Sequence, residues 1–427
     1  MRYFYIFLIC IIASGCKNSK SAGNLNTIDL ASNVGKGEVV NLSEVANDIR
    51  YVKLETNESS LIGRFPKAYY ENERIYVITA QVIRVFDING KFLFKFDRRG
   101  RGPEEYINVG NFLFLPGTDN IVVYNHGFGS NSKLLYYDNN GMFIRSKEIP
   151  RSANLSSEKV IILNNSMYIN SLHLLNRDSA TYNAIVYDSC FNVVKRVPTP
   201  YLPEYERKTV MSMAKRDYDG SVTMINAGSY FSIHPPQMYN FNDKVRFLIN
   251  GNDTIFSMDS KLNYTPAFTV NYGKYKNQSS NREKILSTSG GHISMGTSYF
   301  IESEEYLVLK FNLREYCHET HEIIYTITKE PRVVKYTDTY ALFNKKTGKF
   351  TLLNQPVKNM LGFREDIKNG PPFLPATISS DFRACAVYTA SQIIDYAKKN
   401  EAKGELKEIV KGLRDTDNPI VAIARMK

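Results

Sequence analysis

The sequence predicts an all-β fold, a six-bladed β-propeller built from four-stranded antiparallel blades. A hairpin signal returns about every 50 residues along the 427-residue chain, and paired strand-like runs precede each copy. The two chain ends hold further strand-like segments with no complete repeat of their own, so a sixth blade closes the ring from both termini. One helical insertion near the C-terminus interrupts the pattern.

The clearest hairpin is Val85-Phe86-Asp87-Ile88-Asn89-Gly90-Lys91-Phe92, continuing in alternation to Phe96. Tyr136-Tyr137-Asp138-Asn139-Asn140-Gly141-Met142-Phe143 repeats it 51 residues later, and Val186-Tyr187-Asp188 leads through Asn192 into Val193-Val194 after 50 more. Weaker copies run from Ser257-Met258-Asp259 to Leu262-Asn263-Tyr264, and from Leu342-Phe343-Asn344 to Thr347-Gly348-Lys349-Phe350. Asp or Asn followed by Gly or Asn between apolar runs marks a tight hairpin. The upstream strands are expected at Ile75 to Thr79, Ile121 to Asn125, Ser166 to Ile169, Ser221 to Ile225 and Tyr306 to Phe311. These make five blades. Phe373 to Ala390, Pro419 to Met426 and Ile49 to Leu54 supply the sixth, and joining both termini in one sheet removes open edges. Ile393, Ile394, Ala397, Leu406, Ile409, Val410 and Leu413 recur at helical spacing, broken near Gly404. They predict a helix over 391–414 packed on the propeller's outside.

The N-terminus carries an address. Arg2 precedes a short apolar run from Tyr3 to Ile12, and Ala13-Ser14-Gly15 lead to Cys16. The run is too short to cross a bilayer as a helix, and the order of charge, apolar core and small residues fits a secretory signal over 1–15. The segment resembles a bacterial lipobox, which implies cleavage between Gly15 and Cys16 and lipidation of Cys16. Several acyl chains at about 0.8 kcal/mol per buried methylene would hold the protein firmly to a membrane. Residues 16–32, rich in Lys, Asn, Ser and Gly, read as anchor and flexible tether, leaving 33–427 for the propeller.

Lys and Arg number 54 against 43 Asp and Glu, a formal net charge of +11. The basic residues are scattered and no Lys/Arg run is flanked by stacking aromatics, which argues against nucleic acid as a partner. Of five cysteines, Cys10 leaves with the signal and Cys16 takes lipid. Cys190, Cys317 and Cys385 allow one internal disulfide at most, so the fold is not stapled by disulfides.

Several stretches are similar to the six-bladed β-propeller lipoproteins of the Bacteroidetes, relatives of the NHL-repeat propellers. They are Tyr51-Val52-Lys53-Leu54-Glu55-Thr56, Gly100-Arg101-Gly102-Pro103-Glu104-Glu105-Tyr106, Asn252-Asp253-Thr254-Ile255-Phe256, Gly370-Pro371-Pro372-Phe373-Leu374-Pro375 and Asp417-Asn418-Pro419-Ile420-Val421. Glu104 stands where glycine is more usual and Leu374 where an aromatic is frequent. The resemblance implies architecture and carries no established reaction. Surface-exposed lipoproteins of that group bear an acidic cluster after the lipid cysteine. Lys17-Asn18-Ser19-Lys20 lacks one, so the expected location is the outer membrane, facing the periplasm.

Candidate chemistry gathers on loops. Arg98 to Tyr106 has the glycines and arginines of a phosphate cradle, but a strand follows it instead of the helix that such a cradle needs. It reads as the crossing between the first two blades. With the strands of a blade lettered a to d from the centre outwards, b–c loops and d–a connections emerge on one face. His126, His173 and His234 are expected in the b–c loops of the second, third and fourth blades. His318 and His321 fall in the long b–c excursion of the fifth, and His292 in a d–a connection. Tyr239 crowds the His234 loop with Tyr230, Phe231 and Phe241. All are candidates for a ligand-binding face, since binding residues concentrate on long loops held by a rigid scaffold.

Cofactors are expected to be none, the alternative being a divalent metal held by His126, His173 and His234 from three blades. Cys317-His318-Glu319-Thr320-His321 looks metal-like but has no second ligand pair at a known spacing. Glu302-Glu304-Glu305 and Asp217-Asp219 offer paired carboxylates whose separation would decide any glycoside chemistry. No Gly-x-Ser-x-Gly nucleophile elbow is present. The expected function is a non-catalytic, lipid-anchored envelope module that binds a glycan or an envelope protein. The alternative is a metal-dependent lyase or lactonase acting in the propeller channel.

Overall fold

The hairpin repeat has a single physical cause. The Asp87 carboxylate accepts hydrogen bonds from the backbone N–H groups of Asn89 and Lys91, both at 2.9 Å. Asp138, Asp188 and Asp259 close their own turns in the same way. Asn344 does it with its amide oxygen. A short acceptor side chain that caps the turn amides fixes the reversal locally. Gly90 and Gly141 take the left-handed position of two turns, and Phe191 and Leu262 hold φ 63° at the same place in two others. The aspartate, more than the glycine, makes the turn.

The computed structural model describes residues 26–427 apart from 80–81, 108, 116–117, 119, 126–131, 151–152, 154–159, 165, 173–181, 199–213, 217–221, 227–228, 234–236, 250–251, 277–291 and 326–330. Six antiparallel sheets form the blades. Blade 1 runs Lys67–Glu71, Arg74–Thr79, Val82–Asp87, Phe92–Phe96, and blade 2 runs Val109–Phe114, Ile121–Asn125, Lys133–Tyr137, Phe143–Glu148. Blade 3 is Val160–Leu163, Met167–Ser171, Tyr182–Tyr187, Val193–Pro198, and blade 4 is Gln237–Phe241, Lys244–Leu248, Thr254–Met258, Tyr264–Asn271. Blade 5 comprises Ser294–Glu302, Tyr306–Asn312, Asp338–Asn344 and Phe350–Leu353. Blade 6 takes Thr377–Ile378, Arg383–Tyr388 and Ile420–Met426 from the C-terminal part, with Ala46–Lys53 as its outer strand. Innermost strands touch from blade 2 through blade 6, and that of blade 6 touches that of blade 1.

Three expectations change. Ser221 to Ile225 was expected to precede the fourth hairpin within its blade. Instead Val222–Asn226 lies in a separate three-stranded sheet with Ala214–Arg216 and Ser229–Ile233. Its alternation is as strong as that of a blade strand, and periodicity cannot say which sheet a strand joins. The tether expected through residue 32 ends sooner. Thr27–Asp29 adds in parallel to the outer strand of blade 4, with Ile28 and Leu30 fully buried. Gly37–Glu38 then adds to the outer strand of blade 5 before the chain enters blade 6. The helix expected over 391–414 is two helices, Ala390–Ala397 and Gly404–Lys411, and Gly404 at φ 56° opens the second. Ala390, Ile393 and Leu406 bury against the sixth blade, on its outside as expected.

Apolar side chains fill the seams between blades. Between blades 1 and 2, Phe96 meets Tyr137 edge-on at 4.8 Å between ring centroids. Lys147 and Lys195 reach from one blade to carbonyls of the next blade's turn, Ser189 and Leu262. Arg98 to Tyr106 makes the crossing predicted for it. The Glu105 carboxylate accepts from the Gly102 N–H at 2.8 Å, and Tyr106 is fully buried in the seam.

The closing sheet has an apolar core, and a polar clasp at one end of its terminal strands. Asn418 donates through Nδ2 to the carbonyls of Glu55 and Ser60 and accepts from the Ile62 N–H. Asp417 pairs with Lys53 at 2.9 Å. The two termini are thereby clasped at the sheet they share.

Candidate functional site

Antiparallel alternation puts the b–c and d–a connections of every blade on one face, and three long excursions of blades 5 and 6 emerge there. Residues 313–337 leave blade 5 between its second and third strands and carry a hairpin, His321–Tyr325 with Arg332–Tyr336. Residues 389–419 hold the two helices of blade 6, and 354–376 join blade 5 to blade 6.

The hairpin stands on a packed base. His321 is 5% exposed and stacks on Tyr336 at 5.4 Å. Burial pushes the pKa of its imidazole down, with nearby Asp338 opposing and Lys310 assisting. Its Nδ1 has no hydrogen-bond partner. The Glu322 N–H donates to Asn359 Oδ1 at 3.1 Å, tying the strand to the 354–376 connection. Beyond this base the hairpin is bare: Ile323, Ile324 and Val333 are 42%, 61% and 56% exposed, and neighbouring Val357 38%. Leu61 and Phe65, on the connection from blade 6 to blade 1, add further exposed apolar surface to the same face.

Beside the hairpin lies a cleft of about 500 Å³ between the 354–376 connection and the end of helix Ala390–Ala397. Pro356, Val357 and Pro372 give it an apolar side, and Arg364, Asp366, Asn369, Tyr396, Lys399 and Glu401 a polar one. Glu365 forms its floor. Its carboxylate accepts from the backbone N–H groups of Ile367, Lys368 and Gly370 and from the Tyr51 hydroxyl, at 2.5–3.0 Å. A Cβ on Gly370 would lie 1.9 Å from the Tyr51 hydroxyl oxygen, so only glycine fits there. The fixed floor gives the cleft one shape, with donors, acceptors and an aromatic ring on its walls. That equipment can hold a polar ligand; it contains no paired nucleophile and base.

The sequence-predicted residues disperse. His126, His173 and His234 lie outside the described residues, so their convergence on a metal stands as an expectation. The b–c connection of blade 4 is 249–253, and His234 falls instead between the three-stranded sheet and the first strand of that blade. His292 lies just before the inner strand of blade 5, as expected for a d–a connection. His318 does sit in the fifth-blade excursion, and its Nε2 is 2.7 Å from Asn354 Oδ1. Since Asn354 donates to the Gly37 carbonyl through Nδ2, His318 is the donor to Oδ1, and the pair locks the N-terminal strand in place. The Cys317 to His321 cluster does not converge: Glu319 accepts from the Gln355 N–H, and Cys317 turns its thiol to the Glu319 carbonyl. Among the described residues no three His, Cys, Asp or Glu side chains are grouped to hold a metal ion.

Tyr239 is not a loop residue. It sits in the innermost strand of blade 4, stacked on Phe300 at 4.0 Å, and its hydroxyl donates to Glu302 at 2.7 Å. Glu302 is no member of a catalytic pair either. It is buried in the seam of blades 4 and 5, where Arg246 holds both its oxygens at 2.8 and 2.9 Å and Lys345 lies at 3.1 Å. Glu305 pairs with Lys346, while Asp217 and Asp219 lie outside the described residues. The bare hairpin and the cleft were not singled out from sequence. The runs His-Glu-Ile-Ile-Tyr and Arg-Val-Val-Lys-Tyr around Lys329-Glu330-Pro331 were the available signal.

Known structures share the fold. A protein of Bacteroides fragilis described as exported superposes with a TM-score of 0.61 at 17% identity, covering 94% of this chain and 99% of that one. A member of the DUF4221 family from Bacteroides vulgatus gives 0.45 at 12% identity, covering 90% and 97%. At that identity the first shows the propeller architecture alone, and the second falls too low to carry weight. No curated protein matches the sequence significantly. The family model described as Domain of unknown function (DUF4934) matches residues 25–425, nearly the whole described chain, and this propeller belongs to that family.

Proposed function

We propose that this chain is a lipid-anchored β-propeller of the cell envelope that binds a partner without transforming it. Cys16 would carry the lipid, and the propeller would face the periplasm from the outer membrane. The exported Bacteroides fragilis neighbour agrees with an envelope location. The observation that carries the binding role is the face around blades 5 and 6, where an apolar hairpin projects beside a polar cleft with a fixed floor. Chains seldom leave such residues bare together unless something covers them. An envelope protein suits the hairpin and a glycan suits the cleft, a pairing expected of a component of nutrient uptake.

Photo-crosslinking in intact envelopes tests this reading. A crosslinker at Val357, between hairpin and cleft, should give one discrete adduct. The same group at Val194, exposed on the outer strand of blade 3, should give none. Equal labelling from both positions, or from neither, would refute a dedicated face. Cys16→Ser should move the protein from the membrane to the soluble fraction, and continued membrane retention would remove the lipid anchor from the proposal.

A further inference from the structure

The hairpin His321–Tyr325/Arg332–Tyr336 is a sheet of two strands, and its two outer edges differ. The Glu322 N–H already points outward to Asn359 Oδ1. In an antiparallel ladder, outward-pointing N–H groups mark the pairs that do not bond each other, and these alternate with bonded pairs. Glu322 is in register with Lys335 and Ile324 with Val333. Lys335 and Val333 therefore turn their own backbone N–H and C=O groups away from the ladder, toward the side opposite the 354–376 connection. That edge is free among the described residues. It is an Arg-Val-Val-Lys-Tyr strand with Val333 more than half exposed and no acidic residue.

We propose that this edge takes a third strand from an envelope protein, an extended segment in which two acidic residues three apart flank two aliphatic ones, so that one carboxylate meets Arg332 and the other Lys335 on opposite faces of the ribbon. The inference rests on the binding role above and specifies how the partner engages. Strand addition satisfies backbone groups all along an edge, while side-chain pairing sets the choice of partner. Charge complementarity selects the occupant. Arg332 and Lys335 flank the two valines and make no ion pair among the described residues. Carboxylates across from them would supply one. A second copy of this chain fits poorly, since edge-to-edge pairing would gather four cations with no carboxylate on either strand, and like charges across a ladder are destabilising. The chain's own N-terminal tether, Lys17 to Leu25, also carries lysines and no acid. The stacked His321–Tyr336 base holds the ribbon in place before any partner arrives, which lowers the ordering cost of adding a strand.

The full-length protein in mild detergent can be tested with two synthetic nine-residue probes, one carrying Glu-Val-Val-Glu between threonines and the other Lys-Val-Val-Lys in the same frame. The glutamate probe should bind at least tenfold more tightly. Val333→Pro removes an outward N–H that the hairpin does not use, and proline is tolerated on an edge strand. It should weaken the glutamate probe at least tenfold without shifting the melting temperature. Should that variant unfold, the pair Arg332→Glu and Lys335→Glu preserves the backbone and should reverse the preference between probes. Equal binding of both probes, or indifference to either variant, would overturn the proposal, as would a dimer in sedimentation that Val333→Pro disperses. If the Val357 crosslink persists in Val333→Pro, the partner engages the face by another route and the binding role survives without strand addition.

Discussion

Glu302→Ala should be the most damaging single change in the propeller wall. The carboxylate binds three donors: Arg246 through two bonds, Lys345 at 3.1 Å and the Tyr239 hydroxyl at 2.7 Å. Its side chain is 0% exposed and that of Arg246 9%. Removing it strands a guanidinium inside the seam, and breaking one partner of a buried pair costs about 3–5 kcal/mol. Unfolding entropy near 2.1 cal/mol/K per residue turns that into a fall of about 4–6 °C in melting temperature for a chain of this length. Because the protein has no Trp, dye fluorescence or far-UV circular dichroism must follow the transition. Glu302→Leu with Arg246→Met removes both charges, and apolar replacement of a buried pair is often close to neutral. The double variant should therefore melt well above Glu302→Ala. A loss under about 1 °C for Glu302→Ala, or a double variant that sums the two single losses, would refute the picture of a charge held only by its partner.

Gly370→Ala places a Cβ 1.9 Å from the Tyr51 hydroxyl oxygen and 2.6 Å from Glu365 Oε2. It should cost about 1–3 kcal/mol in denaturant unfolding, the usual scale of overpacking. Asn418→Ala leaves the Glu55 and Ser60 carbonyls and the Ile62 N–H without their shared partner. A loss of about 2–4 kcal/mol is expected, together with faster proteolysis at the termini. The Lys53 ammonium bound to Asp417, with Arg414 adding further bonds, holds that carboxyl at about 2 against burial. A depressed carboxyl pKa stabilises fully above the unfolded value, so on the order of 1–2 kcal/mol should vanish as pH falls from about 4 to about 2. Asp417→Asn should flatten that part of the pH–stability curve, and an unchanged curve would assign the acid sensitivity elsewhere.

The blades were legible because their signals are local. An aspartate that caps its own turn amides must appear within four residues of the amides it binds, so Asp87, Asp138, Asp188 and Asp259 print a period on the sequence. The closing strands were legible for a related reason: an apolar run at each end with no partner of its own implies one shared sheet. What escaped depends on distant partners. Thr27–Asp29 carries one apolar residue, Ile28, with Leu30 just after it in a polar stretch, and only the outer edge of blade 4, some 240 residues away, makes it a strand. Val222–Asn226 alternates like any blade strand, and its sheet is decided by which neighbour it meets first.

The candidate site was legible as a face and obscure as a set of residues. Strand alternation alone assigns His292, His318 and His321 to the side of the b–c and d–a connections, and there they lie. Histidine as a residue type suggested ligands, yet His318 locks Asn354 and His321 props a hairpin. Chemistry-bearing side chains point to function when they converge, and convergence is a distance that sequence does not contain. Exposure behaves the same way. Ile323, Ile324 and Val333 read as ordinary core strand residues, yet in the folded chain they lie on a two-stranded sheet and stay 42%, 61% and 56% exposed. For a binding module the informative residues are thus apolar ones that remain bare after folding. They are absent from every motif, because a motif records what a chain does to itself, whereas a bare edge records what another chain must bring.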